Sequence, residues 1–132
     1  MKVAVTGATG FIGHHVARLL REEGCDVRAL VRRGSDVSSL RALDIEPVIG
    51  DVTDPASVRN AFKGCRQIYH LAADYRLWVK DPKAMYDINV GGTRNVMEAA
   101  LAEGIEKVVY TSSVGVLAAC SSGPRATTPR GL

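Results

Sequence analysis

Short apolar runs alternate along the chain with segments whose apolar residues recur at helical spacing. The runs are rich in valine, isoleucine and leucine, and they predict buried strands over 2–6, 26–31, 47–49, 67–72 and 107–112. Helices are predicted between them, over 11–23, 36–43, 54–63 and 83–103. This alternation predicts an α/β fold in which right-handed crossovers connect a parallel sheet of about five strands, with helices on both faces.

Capping residues support the ends of these helices. Gly24 stands where a helix beginning at Phe11 would end in a glycine cap. Asp54 and Pro55 form a start signal, because the aspartate accepts free N–H groups and proline has no donor to leave unpaired. Helical spacing in the first helix is shown by Ile12, Val16, Leu19 and Leu20. One face of the last helix holds Met85, Ile88, Gly92, Val96 and Ala99.

The composition changes abruptly after residue 117. Residues 118–132, AACSSGPRATTPRGL, are rich in small residues, proline and arginine, and they contain a single large apolar residue, Leu132. Because they show neither helical nor strand periodicity, the segment is predicted to be disordered. We therefore divide the chain into a domain over 1–117 and a tail over 118–132, whose composition resembles out-of-frame translation more than a linker.

Three glycines follow the first strand and open the first helix. Gly7 permits a tight turn, Gly10 lets the backbone approach a pyrophosphate, and Gly13 lets the helix pack closely against the strand. The helix N-terminus adds unpaired N–H groups and the positive end of its dipole. This arrangement predicts a Rossmann-type fold, with strand order 3-2-1-4-5, that holds NAD or NADP. The alternative is that the glycines only form an ordinary strand-to-helix turn.

The glycine loop and four later segments resemble the extended short-chain dehydrogenases/reductases, the NAD-dependent epimerase/dehydratase family. The loop, TGATGFIG at 6–13, has a spacing that is frequent in this family. The other matching segments are GDVTD at 50–54, HLAA at 70–73, NVGGTRNV at 89–96 and YTSS at 110–113. Together they cover residues 1 to about 117 in the family's order. Within the family, ADYRLW at 73–78 resembles the dihydroflavonol-reductase-like branch and the hopanoid-associated sugar epimerases.

The resemblance implies a set of cofactor-binding residues. It places Asp51 on the adenine amino group and the 70–73 segment beside the ribose. For Asp51, the alternative is that its carboxylate only satisfies the backbone of its own loop. For Asn89, the alternative is that its side chain braces the backbone beside the site instead of touching substrate. The implied residues are Gly7, Thr9, Gly10, Phe11, Ile12, Gly13, Arg32, Asp51, Val52, Leu71, Ala72, Ala73 and Asn89.

The end of the second strand decides between NAD and NADP. An acidic residue there binds the ribose 2′-hydroxyl of NAD, whereas an arginine accommodates the 2′-phosphate of NADP. Residues 31–35 read VRRGS and contain no acid, and a guanidinium matches the geometry of a phosphate. NADP is therefore favoured over NAD, with Arg32 as its contact. The alternative is that Arg32 and Arg33 are only surface residues.

The resemblance also implies how a substrate would react. Hydride transfer at a carbon requires a proton to move on the attached oxygen, and Ser113 is implied to hydrogen-bond that oxygen; its alternative is a polar strand end. The family's proton donor is a tyrosine whose pKa is lowered by a lysine four residues later, because an ordinary phenol with a pKa of about 10 ionises too little. The residues four beyond the tyrosines are Ala73, Val79, Val90 and Val114, so this pair is missing.

The sequence therefore predicts the NAD(P)-binding portion of an oxidoreductase or epimerase that acts on a carbinol or carbonyl carbon of a small molecule or nucleotide sugar. We expect the chain to be the N-terminal part of a longer enzyme, truncated before the catalytic helix and inactive by itself, so its standing as an enzyme stays open. The alternatives are a non-catalytic module that senses nucleotide and a gene fragment without function.

Composition and charge limit the remaining classes. The 46% hydrophobic and 23% charged residues are typical of a soluble protein, and the net charge of +3 comes from scattered arginines. No nucleic-acid or membrane partner is therefore predicted. Three isolated cysteines and the lack of a signal-peptide core predict no metal and a cytoplasmic location. An exposed edge at the fifth strand would allow self-association.

Overall fold

A computed structural model describes residues 1–76, 78–113, 118–119 and 126–127 of the chain. Its main strands are β1 (Lys2–Thr6), β2 (Asp26–Val31), β3 (Glu46–Ile49), β4 (Gln67–His70) and β5 (Lys107–Tyr110). The α-helices are α1 (Phe11–Glu22), α2 (Ser38–Ala42), α3 (Pro55–Phe62), α4 (Pro82–Tyr86) and α5 (Thr93–Ala102). A π-helical segment, Asp87–Gly92, joins α4 to α5.

The five strands form one parallel sheet in the order β3-β2-β1-β4-β5. Val3 of β1 lies between Val27 of β2 and Gln67 of β4 in the strand register. The predicted Rossmann-type sheet and its order 3-2-1-4-5 are thus confirmed. The order reverses direction between β1 and β4, and parallel sheets bind ligands at such a point, beyond the carboxyl ends of the strands.

Helices cover both faces of the sheet. Alternate residues of β1 point to opposite sides and therefore pack with different helices. Val3 and Val5 pack with residues of α1 and α2, including Ala17 and Leu40. Ala4 packs on the other side with residues of α3 and α5. The second cluster includes Val58, Ala61, Phe62, Val96, Ala99 and Ala100. Both faces of the sheet are therefore buried at its central strands, which accounts for the apolar composition of β1 and β2.

The α1 helix forms where its spacing predicts, but its closest contact with the sheet is made by small residues. Gly13 and Ala17 are its buried residues. Ile12 and Leu19, which contribute to the predicted apolar pattern, are 60% and 51% exposed. Small side chains let the helix axis approach the sheet, and the larger apolar residues are turned toward the helix flanks. The apolar spacing identified the helix but not its buried face.

Asp54 begins α3 as predicted. Its side chain accepts a hydrogen bond from the backbone N–H of Ala56 at 3.0 Å, and Pro55 occupies the first helical position. Asp81 and Pro82 start α4 in the same way, with the aspartate accepting from Lys83 N–H at 3.0 Å.

The predicted helix over 83–103 forms as one helical run over 82–102, but its hydrogen bonding changes within that run. Between α4 and α5, Asp87–Gly92 adopts π-helical hydrogen bonding, in which each bond spans one more residue than in an α-helix. The insertion rotates the residues before it by about 100° relative to those after it. The predicted face is nevertheless largely kept, because Gly92, Val96 and Ala99 are buried and Ile88 packs against the same core cluster. Such segments occur frequently at functional sites.

Beyond β5, the structure describes two short strands, β6 (Ala118–Ala119) and β7 (Ala126–Thr127), which pair in antiparallel fashion. The other residues of the 118–132 tail lie outside the described part of the chain. The division at residue 117 and the disorder of the tail stay predictions. β5 is an edge strand of the described five-stranded sheet, and association through that edge also stays a prediction.

Candidate functional site

A cleft of about 600 Å³ opens at the carboxyl ends of the strands, where β1 and β4 lie side by side. Its walls come from the loops that follow β1, β2, β3 and β4, together with Ile88 of the π-helical segment. Nine of the residues predicted to bind the cofactor line it: Gly7, Thr9, Gly10, Arg32, Asp51, Val52, Leu71, Ala72 and Ala73. The fold therefore gathers residues from four separate loops into one cleft.

Four other predicted residues do not line the cleft. Phe11 and Ile12 are 82% and 60% exposed, and the Phe11 ring packs edge-on against His15 at 5.1 Å between centroids. Gly13 is buried beneath the glycine turn. Asn89 lies in the π-helical segment. Contact of these four residues with a cofactor stays a prediction.

Two glycines of the turn are required by its geometry. Gly7 has φ of +77°, and a Cβ there would lie 2.8 Å from the backbone nitrogen of Ala72. A Cβ on Gly13 would lie 2.1 Å from the carbonyl oxygen of Gly7. The turn is closed by a hydrogen bond from Gly10 N–H to Gly7 C=O at 2.9 Å. The turn after β1 is therefore held between the β4 loop and the first turn of α1.

Asp51 satisfies the backbone of its own loop, which was the alternative to its contact with adenine. Its Oδ1 accepts hydrogen bonds from the backbone N–H of Thr53 at 2.9 Å and from the Thr53 hydroxyl at 2.8 Å. Both of these bonds use one carboxylate oxygen, and a carboxylate has acceptor capacity on the other as well. Bracing of the loop and a contact to adenine are therefore compatible for Asp51.

Asn89 braces the backbone, one of the two roles considered for it. Its Oδ1 accepts from Asp74 N–H and its Nδ2 donates to Asp74 C=O, both at 2.7 Å. Asn95 also braces the backbone of a loop that lines the cleft, because its Nδ2 donates a hydrogen bond to Val52 C=O at 2.8 Å. Gly92 packs against Val52 so closely that a Cβ would lie 2.7 Å from Val52 Cγ2. The π-helical segment and α5 thus hold the loops after β3 and β4.

Arginines lie on two sides of the cleft. Arg32 follows β2 and lines both the main cleft and a neighbouring cavity of about 510 Å³, which Arg33 also lines. Across the cleft, the hydrogen bond from Arg76 lowers the pKa of Asp74 to about 2, and the charge of Arg32 acts in the same direction. Asp74 is therefore ionised at neutral pH and lies within the electrostatic reach of Arg32. Asp74 and Arg76 fall inside the quoted segment ADYRLW, but nothing in its spacing shows that this loop folds over the cleft.

Ser113 lies three residues beyond the end of β5, in an exposed segment. It is not among the residues that line the described cleft. The catalytic role implied for it stays a prediction.

A second pair of residues that the sequence analysis missed lies beneath the cleft. Thr6 and His70 are 0% and 1% exposed, and Thr6 Oγ1 lies 2.7 Å from His70 Nδ1. Burial lowers the pKa of His70 from 6.5 to about 4, so its imidazole is neutral at physiological pH. Thr6 lies in the motif TGATGFIG and His70 in the motif HLAA. Their places in these motifs were the sequence signal that could have identified them as functional residues.

Within the described part of the chain, no group of three or more His, Cys, Asp or Glu side chains is placed to hold a metal ion. Among the same residues, the helices are all too short or too polar to cross a membrane.

The geometry fits a dinucleotide. The cleft has the size of a small-molecule site, and Gly10, the N-cap residue of α1, lines it without a side chain. Free N–H groups at a helix N-terminus bind phosphate. The structure therefore has the features of a nucleotide-binding protein of the Rossmann type.

Comparison with known proteins agrees with this class. The model of the NAD dependent epimerase/dehydratase family matches residues 3–130. A protein of Synechocystis sp. named "Putative dihydroflavonol 4-reductase" is 46% identical over 122 residues, which are 92% of this chain and 35% of that protein. The chain belongs to the NAD dependent epimerase/dehydratase family, and it is similar to the dihydroflavonol-reductase-like branch that the motifs indicated.

Two solved structures are similar to the chain. The crystal structure of gox2253 has a TM-score of 0.85 and 50% identity, and the match covers 98% of this chain and 40% of that one. A short-chain dehydrogenase/reductase superfamily protein from Agrobacterium tumefaciens with bound NAD has a TM-score of 0.76 and 32% identity, with 88% and 34% covered. The chain spans about a third of the length of the curated relatives it matches.

Proposed function

We propose that the chain is the NAD(P)-binding portion of an oxidoreductase or epimerase that acts on a carbinol or carbonyl carbon of a small molecule or nucleotide sugar. The observation that supports this most is the cleft, in which a glycine turn at the start of α1 faces the loops after β3 and β4. Family membership supports a nicotinamide cofactor.

In this proposal the turn from Gly7 to Gly10 receives the pyrophosphate, and the N-terminus of α1 supplies N–H donors and a favourable dipole. Asp51 accepts from the adenine amino group, and the loop after β4 lies along the ribose. The cofactor supplies the hydride acceptor or donor when it is bound. Ser113 donates a hydrogen bond to the substrate oxygen, which orients the carbon that reacts.

We propose NADP as the preferred cofactor, because Arg32 lies at the end of β2 and lines the cleft. In an Arg32→Ala variant, the Kd for NADPH is expected to rise about tenfold or more, since a charge-assisted hydrogen bond contributes roughly 1.5–3 kcal/mol. The Kd for NADH should change little, because NADH lacks the 2′-phosphate. Titration of nucleotide fluorescence at fixed ionic strength measures both constants.

Arg41→Ala is the matched control for this experiment. Arg41 is an exposed arginine of α2 that does not line the described cavities, so its removal changes net charge by the same amount without touching the site. Equal Kd values of the wild-type chain for NADPH and NADH would contradict the proposed preference. Binding of neither nucleotide would contradict the proposed function itself.

We further propose that the 132 residues alone bind cofactor without turning it over, because none of their tyrosines is followed by a lysine at the fourth position. NADPH absorbance is expected to stay constant when the chain is mixed with carbonyl or sugar substrates. Turnover that disappears in a Ser113→Ala variant would contradict this proposal. Binding without turnover leaves the nucleotide-sensing alternative in place, whereas absence of both favours the functionless fragment.

Two further proposals concern the surroundings of the chain. Cys25 and Cys65 are buried free thiols, which supports a reducing compartment such as the cytoplasm. The position of β5 at the edge of the described sheet supports self-association by strand pairing.

A further inference from the structure

His70 of β4 is buried against three other elements of the fold. It ends β4 and is 1% exposed. Its Nδ1 lies 2.7 Å from Thr6 Oγ1 of β1, and its Nε2 lies 3.1 Å from Thr93 Oγ1 of α5. The ring stacks on Tyr110 of β5, with 5.6 Å between the centroids and 25° between the planes. Both ring nitrogens thus have partners, although the proposed function assigns this residue no role.

The hydrogen bonds around Thr6 determine which nitrogen carries the proton. Thr6 Oγ1 accepts from Ala72 N–H at 3.1 Å and from Leu71 N–H at 3.2 Å, the latter shared with Thr6 C=O. A hydroxyl oxygen has two acceptor positions and one proton. A third donor at Nδ1 would exceed that capacity and leave the hydroxyl proton without an acceptor. The Thr6 hydroxyl therefore donates to Nδ1, and Nε2–H donates to Thr93 Oγ1.

This network lies directly beneath the nucleotide cleft. Ala72 lines the cleft, and its backbone nitrogen would be 2.8 Å from a Cβ on Gly7. The Thr6 oxygen therefore anchors the β4 loop at the point where that loop touches the glycine turn. If the Thr6 hydroxyl rotated, its lone pairs would leave Ala72 N–H, and the spacing between the two loops would no longer be held.

We propose that His70 is a positioning residue of the nucleotide cleft: by accepting the Thr6 proton and donating to Thr93, it keeps the Thr6 oxygen oriented toward the backbone N–H of Ala72. This proposal rests on the proposed nucleotide-binding function. It assigns His70 no contact with cofactor or substrate. Its effect reaches the cleft only through Thr6 and the β4 loop.

Two substitutions of His70 separate positioning from packing. The side-chain amide of asparagine reaches the place of Nδ1, so His70→Asn retains an acceptor for Thr6. The amide of glutamine reaches the place of Nε2, so His70→Gln retains a partner for Thr93 and leaves Thr6 without its acceptor. We expect the Kd for NADPH to rise about tenfold or more in His70→Gln and to stay within about threefold in His70→Asn. A packing role predicts the opposite order, because asparagine is the smaller residue and leaves the larger cavity.

Substitutions of Thr6 provide the matched pair from the other side of the bond. Thr6→Ser keeps the hydroxyl and should bind NADPH like the wild-type chain, whereas Thr6→Val removes it and should behave like His70→Gln. Amide hydrogen exchange at Ala72 gives a readout that needs no nucleotide. Ala72 should be protected in the wild-type chain, His70→Asn and Thr6→Ser, and should exchange faster in the other two variants.

Nitrogen NMR of the wild-type imidazole tests the protonation pattern even if a variant fails to fold. The proposal requires the Nε2–H tautomer, and an Nδ1–H tautomer would overturn it. Weaker binding in His70→Asn than in His70→Gln would also overturn it. If the wild-type chain binds neither NADPH nor NADH, the proposed function fails, while Ala72 exchange and the tautomer still decide whether His70 orients Thr6.

Discussion

Replacing Gly13 by alanine is expected to lower the free energy of unfolding by about 3 kcal/mol or more and to abolish nucleotide binding. The new Cβ would lie 2.1 Å from the carbonyl oxygen of Gly7 and 2.6 Å from its carbonyl carbon. These are backbone atoms, so no side-chain rotation can relieve the contact. Either α1 moves away from the glycine turn or the turn opens. Urea unfolding and NADPH titration measure the two consequences.

Gly91→Ala is the matched control. Gly91 is also a helical glycine, but a Cβ there meets no atom within 4 Å. The intrinsic preference of a helix for alanine over glycine, about 1 kcal/mol, applies in the same direction at both positions. The control variant should therefore be as stable as the wild-type chain or slightly more stable. Equal stability of Gly13→Ala and Gly91→Ala would show that α1 does not rest on the turn as described.

The chain is expected to lose stability on the order of 3 kcal/mol through His70 alone as the pH falls from 6.5 to 4. Burial lowers the folded-state pKa of His70 to about 4, against 6.5 for the ordinary residue. Between these values the unfolded chain takes up a proton at this position and the folded chain does not. Acid therefore favours unfolding in this window, and the loss is complete once the pH is below the folded-state pKa.

The contribution of His70 is isolated by subtracting the profile of the His70→Asn variant. Exposed carboxyl groups whose pKa values are lowered by hydrogen bonds, such as Glu106 beside Arg66, also lose stabilising contacts in acid. They are present in both chains and cancel in the difference. The difference in unfolding free energy between the two chains should shrink as the pH falls through the window. A constant difference from pH 7 to pH 4 would show that His70 takes up its proton at the same pH in the folded and the unfolded chain, so that burial does not lower its pKa.

Local signals were sufficient for the sheet and for most of the cleft. Alternation of strands and helices, with a glycine turn after the first strand, predicted the parallel order that the structure shows. Once the strands are parallel, their carboxyl ends meet at one edge. Gly10, Asp51 and Ala72 therefore had to converge there, although they are far apart in sequence.

Periodicity was a poorer guide where contacts depend on distances between elements. The exposed Ile12 and the buried Gly13 show that the size of a residue decided how α1 meets the sheet. The π-helical hydrogen bonding at Asp87–Gly92 is marked by no spacing rule. This segment is also the one from which Asn89 holds the backbone of Asp74.

The amino-acid sequence by itself determined the fold class, the strand order and the family, because these depend on local periodicity and on short motifs. Only the tertiary structure decided what Thr6, His70 and Thr93 do. Thr6 and His70 are 64 residues apart in sequence, and their hydrogen bond exists only because β1 and β4 are neighbours in the sheet. Burial by the surrounding elements then keeps the imidazole neutral, and that property belongs to the assembled core and not to any segment of the chain.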